Sequence, residues 1–318
     1  MATTGAEATE LLSAPAEKVH RVLLFGPCSM TTGAQAHCAR TRTPVFLLSS
    51  GGRLLGRVEP EGYADARVET QQLRKADDPA AATEVARVVV RAKIRNQVAL
   101  LSRHLANPDR RPDRAADVRR LAQEALSAAA ATADAHDVET VRGLEGTAAR
   151  AYFEALALLV RPAELRFAGR SRRPPADPFN AVLSLGYTLL YHQQHAFARA
   201  HRLHPYVGFL HAVSPGHAAL ASDLVEEFRC VVDALALGLV NRRELRTEHF
   251  ENVAGGGVWL NAEGRRVFFA AFEGVMRRPY LHRVHKKQYP YRLCLDLQAR
   301  AMARWVRGED RYRPFVWR

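Results

Sequence analysis

Between His204 and Arg229 the run HPYVGFLHAVSPGHAALASDLVEEFR gathers one candidate imidazole, His211, and three acids, Asp223, Glu226 and Glu227. Ser214 and Pro215 have the residue types of an N-cap and a first helical position, so a helix is expected from there onward. On that helix Asp223 lies three residues before Glu226 and four before Glu227, which places each pair within about 60° on the surface. Carboxylates crowded without a cation repel one another, and binding a divalent metal removes that cost. With an imidazole nearby, the set suits hydrolysis or phosphoryl transfer. The same residues also suit an acidic, solvated face, because Leu220, Leu224, Val225 and Phe228 form the apolar stripe and Glu226 points away from it. Periodicity leaves both readings open and does not choose between Glu226 and Glu227.

Two further segments carry candidate chemistry. In VRGLEGTAARAYFEALALLV, residues 141 to 160, Glu145 sits between glycines at the expected head of a helix, where an ordinary favourable interaction with the helix dipole also accounts for it. Glycines there permit close backbone approach, and Glu154 reads as solvated. In RFAGRSRRPPADPFNAVLSLGYTLLYHQQH a basic proline-rich loop leads into an apolar helix bearing Asn180, Tyr187 and Tyr191. Arg170, Arg172 and Arg173 are candidates for phosphate contact and Tyr191 for a hydrogen bond to substrate. Packed tyrosines and a solvated arginine loop are the alternative.

These residues need a scaffold, and the chain divides into two textures. Residues 20 to 58 hold short β-branched and aromatic runs, HRVLLFG and TPVFLLS, with the turn signal SGGR before LLGRV and a short helix expected in GAQAHCARTR. PEGYADARVETQQLRKADDP reads as a connection, giving a β-rich N-terminal domain with its linker over residues 1–76 and a mainly helical domain over 77–318. In the latter, EVARVVVRAKIRNQVALLSRHL opens a long amphipathic helix, and breaks at NPDRRPD, AGRSRRPPADP, HAVSPG and NVAGGG predict about eight to ten helices. The fold class expected is α+β. No fixed-period repeat is present, which disfavours a solenoid.

The chain has 318 residues, with 46 Lys+Arg against 33 Asp+Glu, a formal charge of +13 and a pI near 10.1. Such a balance favours a polyanionic partner, nucleic acid first and an anionic membrane second. From Arg277 to Arg318 there are 12 cations and three acids, a net +9 of the total +13. Tyr280, Tyr289, Tyr291, Trp305, Tyr312 and Trp317 are interleaved with them, suited either to base stacking or to anchoring terminal helices. Cys28, Cys38, Cys230 and Cys294 form no CxxC pair and stand in apolar surroundings, which predicts free thiols and a cytoplasmic location. The N-terminus lacks a secretory pattern and no run of about 18 apolar residues occurs, so membrane spanning is not expected.

Three separated motifs, LEGTAARAYF, RRPPADPFNAVLSLGYTLLY and GFLHAVSPGHAALASDLVEEFR, occur in this order, together with VLLFG, TPVFLLSSGGRLLGRV, AKIRNQVALL and GGGVWLNAEGRRVFF. In their combination the chain closely resembles the CRISPR-associated spacer-acquisition integrase family, the universal adaptation nuclease of CRISPR systems. The resemblance implies a β-rich dimerisation domain and a helical catalytic domain with a Mg or Mn site. It places the metal ligands on Glu145, His211 and Glu226, an additional acid near the site on Asp223, and a tyrosine near the reacting DNA on Tyr191. Oxygen-rich coordination with open positions fits Mg or Mn in phosphoryl transfer better than zinc. Family members open with further strands ahead of the VLLFG strand, where only about twenty strand-poor residues stand in this chain. The N-terminal domain is therefore expected to be shortened, through either a start inside a longer reading frame or a short variant. The activity implied is two successive transesterifications that insert a short foreign DNA at a CRISPR repeat boundary. The partners implied are double-stranded DNA, a second copy of the chain and a second, smaller CRISPR-associated adaptation protein. A structure-selective endonuclease acting on branched DNA and a non-catalytic basic DNA-binding scaffold are the competing readings.

Overall fold

A computed structural model describes residues 13, 15–19, 22–48, 54–60, 66–107, 113–167, 169–171, 174–252 and 256–317. The chain forms two compact units, divided after Ala64. The strand-poor opening lies for the most part outside the described residues.

In the first unit β1 (Val22–Phe25) pairs in parallel with β2 (Val45–Leu48), which pairs antiparallel with β3 (Leu54–Val58). A parallel pair cannot be joined by a hairpin, and helix α1 (Thr32–Arg40) makes the crossover. Thr31 caps α1 by accepting the Ala34 N–H at 3.2 Å. Strands with one inserted helix are what the sequence predicts for this segment.

The polar stretch expected as a connection, residues 60 to 79, instead contains helix α2 (Ala66–Asp77), which belongs to the second unit. Its buried positions are Val68 and Gln72, one turn apart, and Gln72 hides the apolar periodicity. The Gln72 amide is satisfied by donating to the carbonyls of His204 and Val207, at 2.9 and 2.6 Å, and by accepting the His204 N–H at 2.8 Å.

The rest of the second unit is helical: α3 (Pro79–Ala106), α4 (Ala115–Ala131), α5 (Val138–Ala157), α6 (Pro178–Ala200), α7 (Ala219–Glu226), α8 (Arg229–Asn241), α9 (Ala262–Arg277) and α10 (Tyr291–Val306). With α2 that makes nine α-helices among the described residues of this unit, within the expected range. Two antiparallel hairpins, β4 (Phe250–Asn252) with β5 (Val258–Leu260) and β6 (Pro279–His282) with β7 (Lys287–Pro290), complete an α+β architecture. Helix starts are set by side chains: Asp78, Asp137, Asp177 and Asn261 each accept a backbone N–H from the first turn. Helices α3, α4 and α5 pack together, α6 packs on α7, α8 and α10, and α7 also meets α3. One continuous core results, including Val89, Leu101, Tyr152, Leu190, Leu224 and Val240. Each such side chain contributes roughly 1.5–3 kcal/mol by its burial.

The C-terminal aromatics anchor the fold and do not offer faces for bases. Tyr291, Trp305, Tyr312 and Trp317 are buried, and Tyr280 stacks on Tyr291 while its hydroxyl donates to the Val316 carbonyl at 2.7 Å. Cys38, Cys230 and Cys294 are buried free thiols, whereas Cys28 is exposed, contrary to the apolar surroundings expected for it. Among the described residues no helix is long and apolar enough to cross a membrane.

Candidate active site

Helix α7 begins at Ala219, four residues later than Pro215, because Pro215 and Gly216 make a turn that closes with the His217 N–H donating to the Ser214 carbonyl. Gly216 has φ +72°, the left-handed value a Pro-Gly turn requires. All eight residues of α7 are buried, which overturns the solvated-face reading: the wheel assumes one wet side, and this short helix has none.

Asp223 binds the loop that precedes α7. It accepts the N–H groups of Phe209, Leu210 and His211 at 2.6, 3.1 and 3.0 Å, and its Oδ1 lies 2.7 Å from His211 Nδ1. A carboxylate holding Nδ1 fixes the ring and leaves Nε2 directed elsewhere, the usual arrangement behind a metal-binding histidine. Burial lowers the His211 pKa, but the bond to Asp223 and the charges of Asp223 and Glu226 outweigh it and leave it raised. Gly208 permits the close approach, since a Cβ there would stand 2.8 Å from Asp223 Oδ2.

Nε2 of His211 lies 3.9 Å from Glu226 Oε1. Glu226 also accepts a bidentate pair of bonds from Arg229, both 2.8 Å, and meets the Lys93 ammonium at 2.5 Å. Burial would raise the Glu226 carboxyl, but Arg229 and Lys93 hold it well below the usual carboxylate range. The Lys93 ammonium also bonds Glu145, so carboxylates from α5 and α7 meet around one cation carried by α3. Glu145 does not cap its helix: Asp137 does, and Glu145 stands two turns further in. The expected ligands Glu145, His211 and Glu226 are therefore brought together, with Asp223 behind the histidine.

Among the described residues no three His, Cys, Asp or Glu side chains close around one point as they stand, because Lys93 occupies the meeting place of the two carboxylates. The donor chemistry nevertheless fits a divalent ion: two carboxylates and an oriented imidazole, with a positive charge already at their junction.

The sequence matches the family described as CRISPR associated protein Cas1 over residues 3–274. This chain belongs to that family. It is 36% identical to a CRISPR-associated endonuclease Cas1 of Rhodospirillum rubrum, over 96% of this chain and 90% of that protein. Among solved structures it is similar to a CAS1 protein from Thermotoga maritima, with TM-score 0.72 and 25% identity over 94% of this chain and 90% of that one. It is also similar to a chain of a partial Cas6-RT-Cas1–Cas2 complex, with TM-score 0.73 and 29% identity over 95% and 88%.

In this Cas1-family chain Glu227, which periodicity could not separate from Glu226, faces the opposite way. It accepts from the Tyr312 hydroxyl and the Phe315 N–H, both at 2.6 Å, and from Gln298 at 2.9 Å. Burial outweighs these bonds and pushes its carboxyl up to about 7. It is a substitute for Glu226 in sequence only. Tyr191 lies one ring beyond the histidines: it stacks on His217 at 6.2 Å, His217 is 5.9 Å from His211, and the Tyr191 hydroxyl accepts the Ala218 N–H at 2.7 Å.

The other candidates have structural roles. Arg170 donates to Asn180 and Ser184 at 2.9 and 3.0 Å, tying its loop to the start of α6, and Arg172 and Arg173 lie outside the described residues. Asn180 is a buried hub for that loop. Tyr187 and Tyr152 both donate to Asp233, whose burial pushes its carboxyl up to about 6. Arg229 lies 4.5 Å above the Tyr187 ring, which sets its fork toward Glu226. Sequence reasoning missed Lys93 and Arg229. The signal for Lys93 was present: it stands with Val89, Val90, Ile94 and Gln97 on the buried stripe of α3, where a lysine requires a carboxylate partner.

Proposed function

We propose that this chain is the integrase of CRISPR adaptation, a metal-dependent nuclease and strand transferase that joins the 3′-hydroxyl of a captured DNA to a phosphodiester at the repeat boundary. The observation that carries the reading is the approach of Glu145 and Glu226, from two different helices, to the Lys93 ammonium, with Nε2 of the Asp223-oriented His211 3.9 Å from Glu226. Glu145, Glu226 and Nε2 of His211 would hold Mg or Mn, which when bound supplies Lewis-acid stabilisation of charge on the phosphate and the attacking or leaving oxygen. Asp223 keeps the imidazole oriented, Arg229 fixes the Glu226 carboxylate in one plane, and Tyr191, one ring beyond His217, would meet the DNA strand beside the centre. Burial of all three acids of α7 and its C-terminal end argues against the basic-scaffold reading, in which they would be solvated.

The proposed partners are double-stranded DNA, a second copy of the chain through the β-rich unit, and the small adaptation protein that accompanies the similar Cas1 in the solved complex. A structure-selective endonuclease is the second reading, favoured by the names of the curated relatives. The two share a centre and differ in whether a DNA hydroxyl or water attacks. Removing divalent ions with EDTA tests the common part. Strand transfer and cleavage should stop, return with Mg or Mn, and return little with zinc; full activity in metal-free buffer contradicts the proposal.

The hairpin β6–β7 is the strongest candidate for phosphate binding. Arg283, Lys286 and Lys287 are exposed there and form no ion pair among the described residues, whereas Arg277, Arg292, Arg304 and Arg307 of the same basic segment are paired with Glu273, Glu309 or Asp310. Neutralising the three together should weaken binding to unrelated duplexes alike and flatten the salt dependence by up to about 0.9 log unit for each phosphate no longer neutralised. Affinity for a generic duplex at several salt concentrations checks this, and an unchanged slope rules these residues out.

A further inference from the structure

Lys93 has a side chain only 6% exposed, and its ammonium lies between carboxylates from two different helices, Glu145 and Glu226. An ammonium is costly to take out of water unless paired, and both its partners are the expected metal ligands. Composition sharpens the point. Only five of the 46 Lys+Arg residues are lysines, and among the described residues Lys93 is the one that is buried. An arginine grips a carboxylate through a planar fork, as Arg229 does with Glu226. A lysine is a compact charge on a flexible stem, suited to being withdrawn.

We propose that Lys93 is a tethered stand-in for the divalent ion. It holds Glu145 and Glu226 together when no ion is bound, and it must leave their meeting point before an ion can bind, so it sets the metal affinity of the centre. The proposal rests on Glu145 and Glu226 being metal ligands. An arriving ion meets two carboxylates whose charge Lys93 and Arg229 already compensate, and it meets a like charge at close range.

Lys93→Met keeps an unbranched stem of nearly the same reach and removes the ammonium and its charge. Titrating the full chain with Mn²⁺ by calorimetry should show binding about tenfold tighter, or more, in K93M than in wild type, about 1.4 kcal/mol per tenfold. Lys93→Arg should bind no tighter than wild type. K93M that binds Mn²⁺ equally or more weakly overturns the proposal while leaving the metal reading intact. Wild-type protein that binds no Mn²⁺ removes the metal reading and the proposal with it. A second measurement needs no variant: reductive methylation followed by peptide mass spectrometry resolves all five lysines. Lys93 should be protected without metal and modified at saturating Mn²⁺; equal protection in both states overturns the proposal.

Discussion

Glu226→Gln should lower strand transfer by about a hundredfold or more, since it removes one of the groups that would position and compensate the charge-stabilising ion. The variant is not neutral for folding. Glu226 is the shared partner of Arg229 and Lys93, and breaking a buried pair by removing one member costs about 3–5 kcal/mol. Glu145→Gln separates the two effects, because its side chain is 24% exposed and, among the described residues, meets a single cation; it should lose activity with a much smaller fall in Tm. Linkage gives a further signature. Because the folded Glu226 pKa is depressed, its contribution to stability is full above the ordinary carboxyl value of 4.5 and is lost as the pH falls below it. E226Q should therefore lose less Tm on acidification than wild type. A folded E226Q protein with wild-type strand transfer would move the ligand assignment elsewhere.

Phe315→Ala should cost about 3–5 kcal/mol of folding stability, the range for emptying a buried aromatic site. The ring is 2% exposed, stacks on Phe228 at 4.4 Å and meets Tyr280 at 5.1 Å. The segment around it is bound into the centre of the helical unit. Asn96 donates to the carbonyls of Glu227 and Phe315 and accepts the Trp317 N–H, and the Trp317 indole donates to the Tyr291 hydroxyl at 2.6 Å. Residues without regular structure thus secure the end of α7 that carries Glu226. Urea unfolding of F315A beside Arg313→Ala, an exposed neighbour, measures the difference. A loss below about 1 kcal/mol for F315A would contradict this account of the terminal segment.

Much of this was legible in the residues. The strand, helix, strand order of the first unit follows from short β-branched runs and a turn signal, and the caps Asp137 and Asp177 stand directly before their helices. The family motifs located Glu145, His211 and Glu226, which the structure brings together. What remained hidden depends on interactions between segments distant in sequence. Gln72 looks like a linker residue until His204 and Val207 supply its partners, and the place of Lys93 on the apolar stripe of α3 calls for a carboxylate without saying that Glu145 and Glu226 are the ones that close on it. The solvated-face reading of α7 failed because periodicity reports one apolar side and is silent on a helix enclosed on all of them. The aromatic and basic C-terminal segment mixed two roles in one stretch, with rings turned inward and the cations of the β6–β7 turn outward.

The central claim, that this centre joins DNA to DNA through a 3′-hydroxyl, is tested most directly with a short labelled duplex, a target duplex carrying the repeat boundary, and Mn²⁺. The duplex is supplied with either ordinary or dideoxy 3′ ends. The account predicts a longer labelled product with the ordinary ends, none with dideoxy ends, and none from E226Q or in EDTA. Cleavage of branched DNA by wild-type protein with no joined product from ordinary ends, in the presence of the small partner protein, would contradict it.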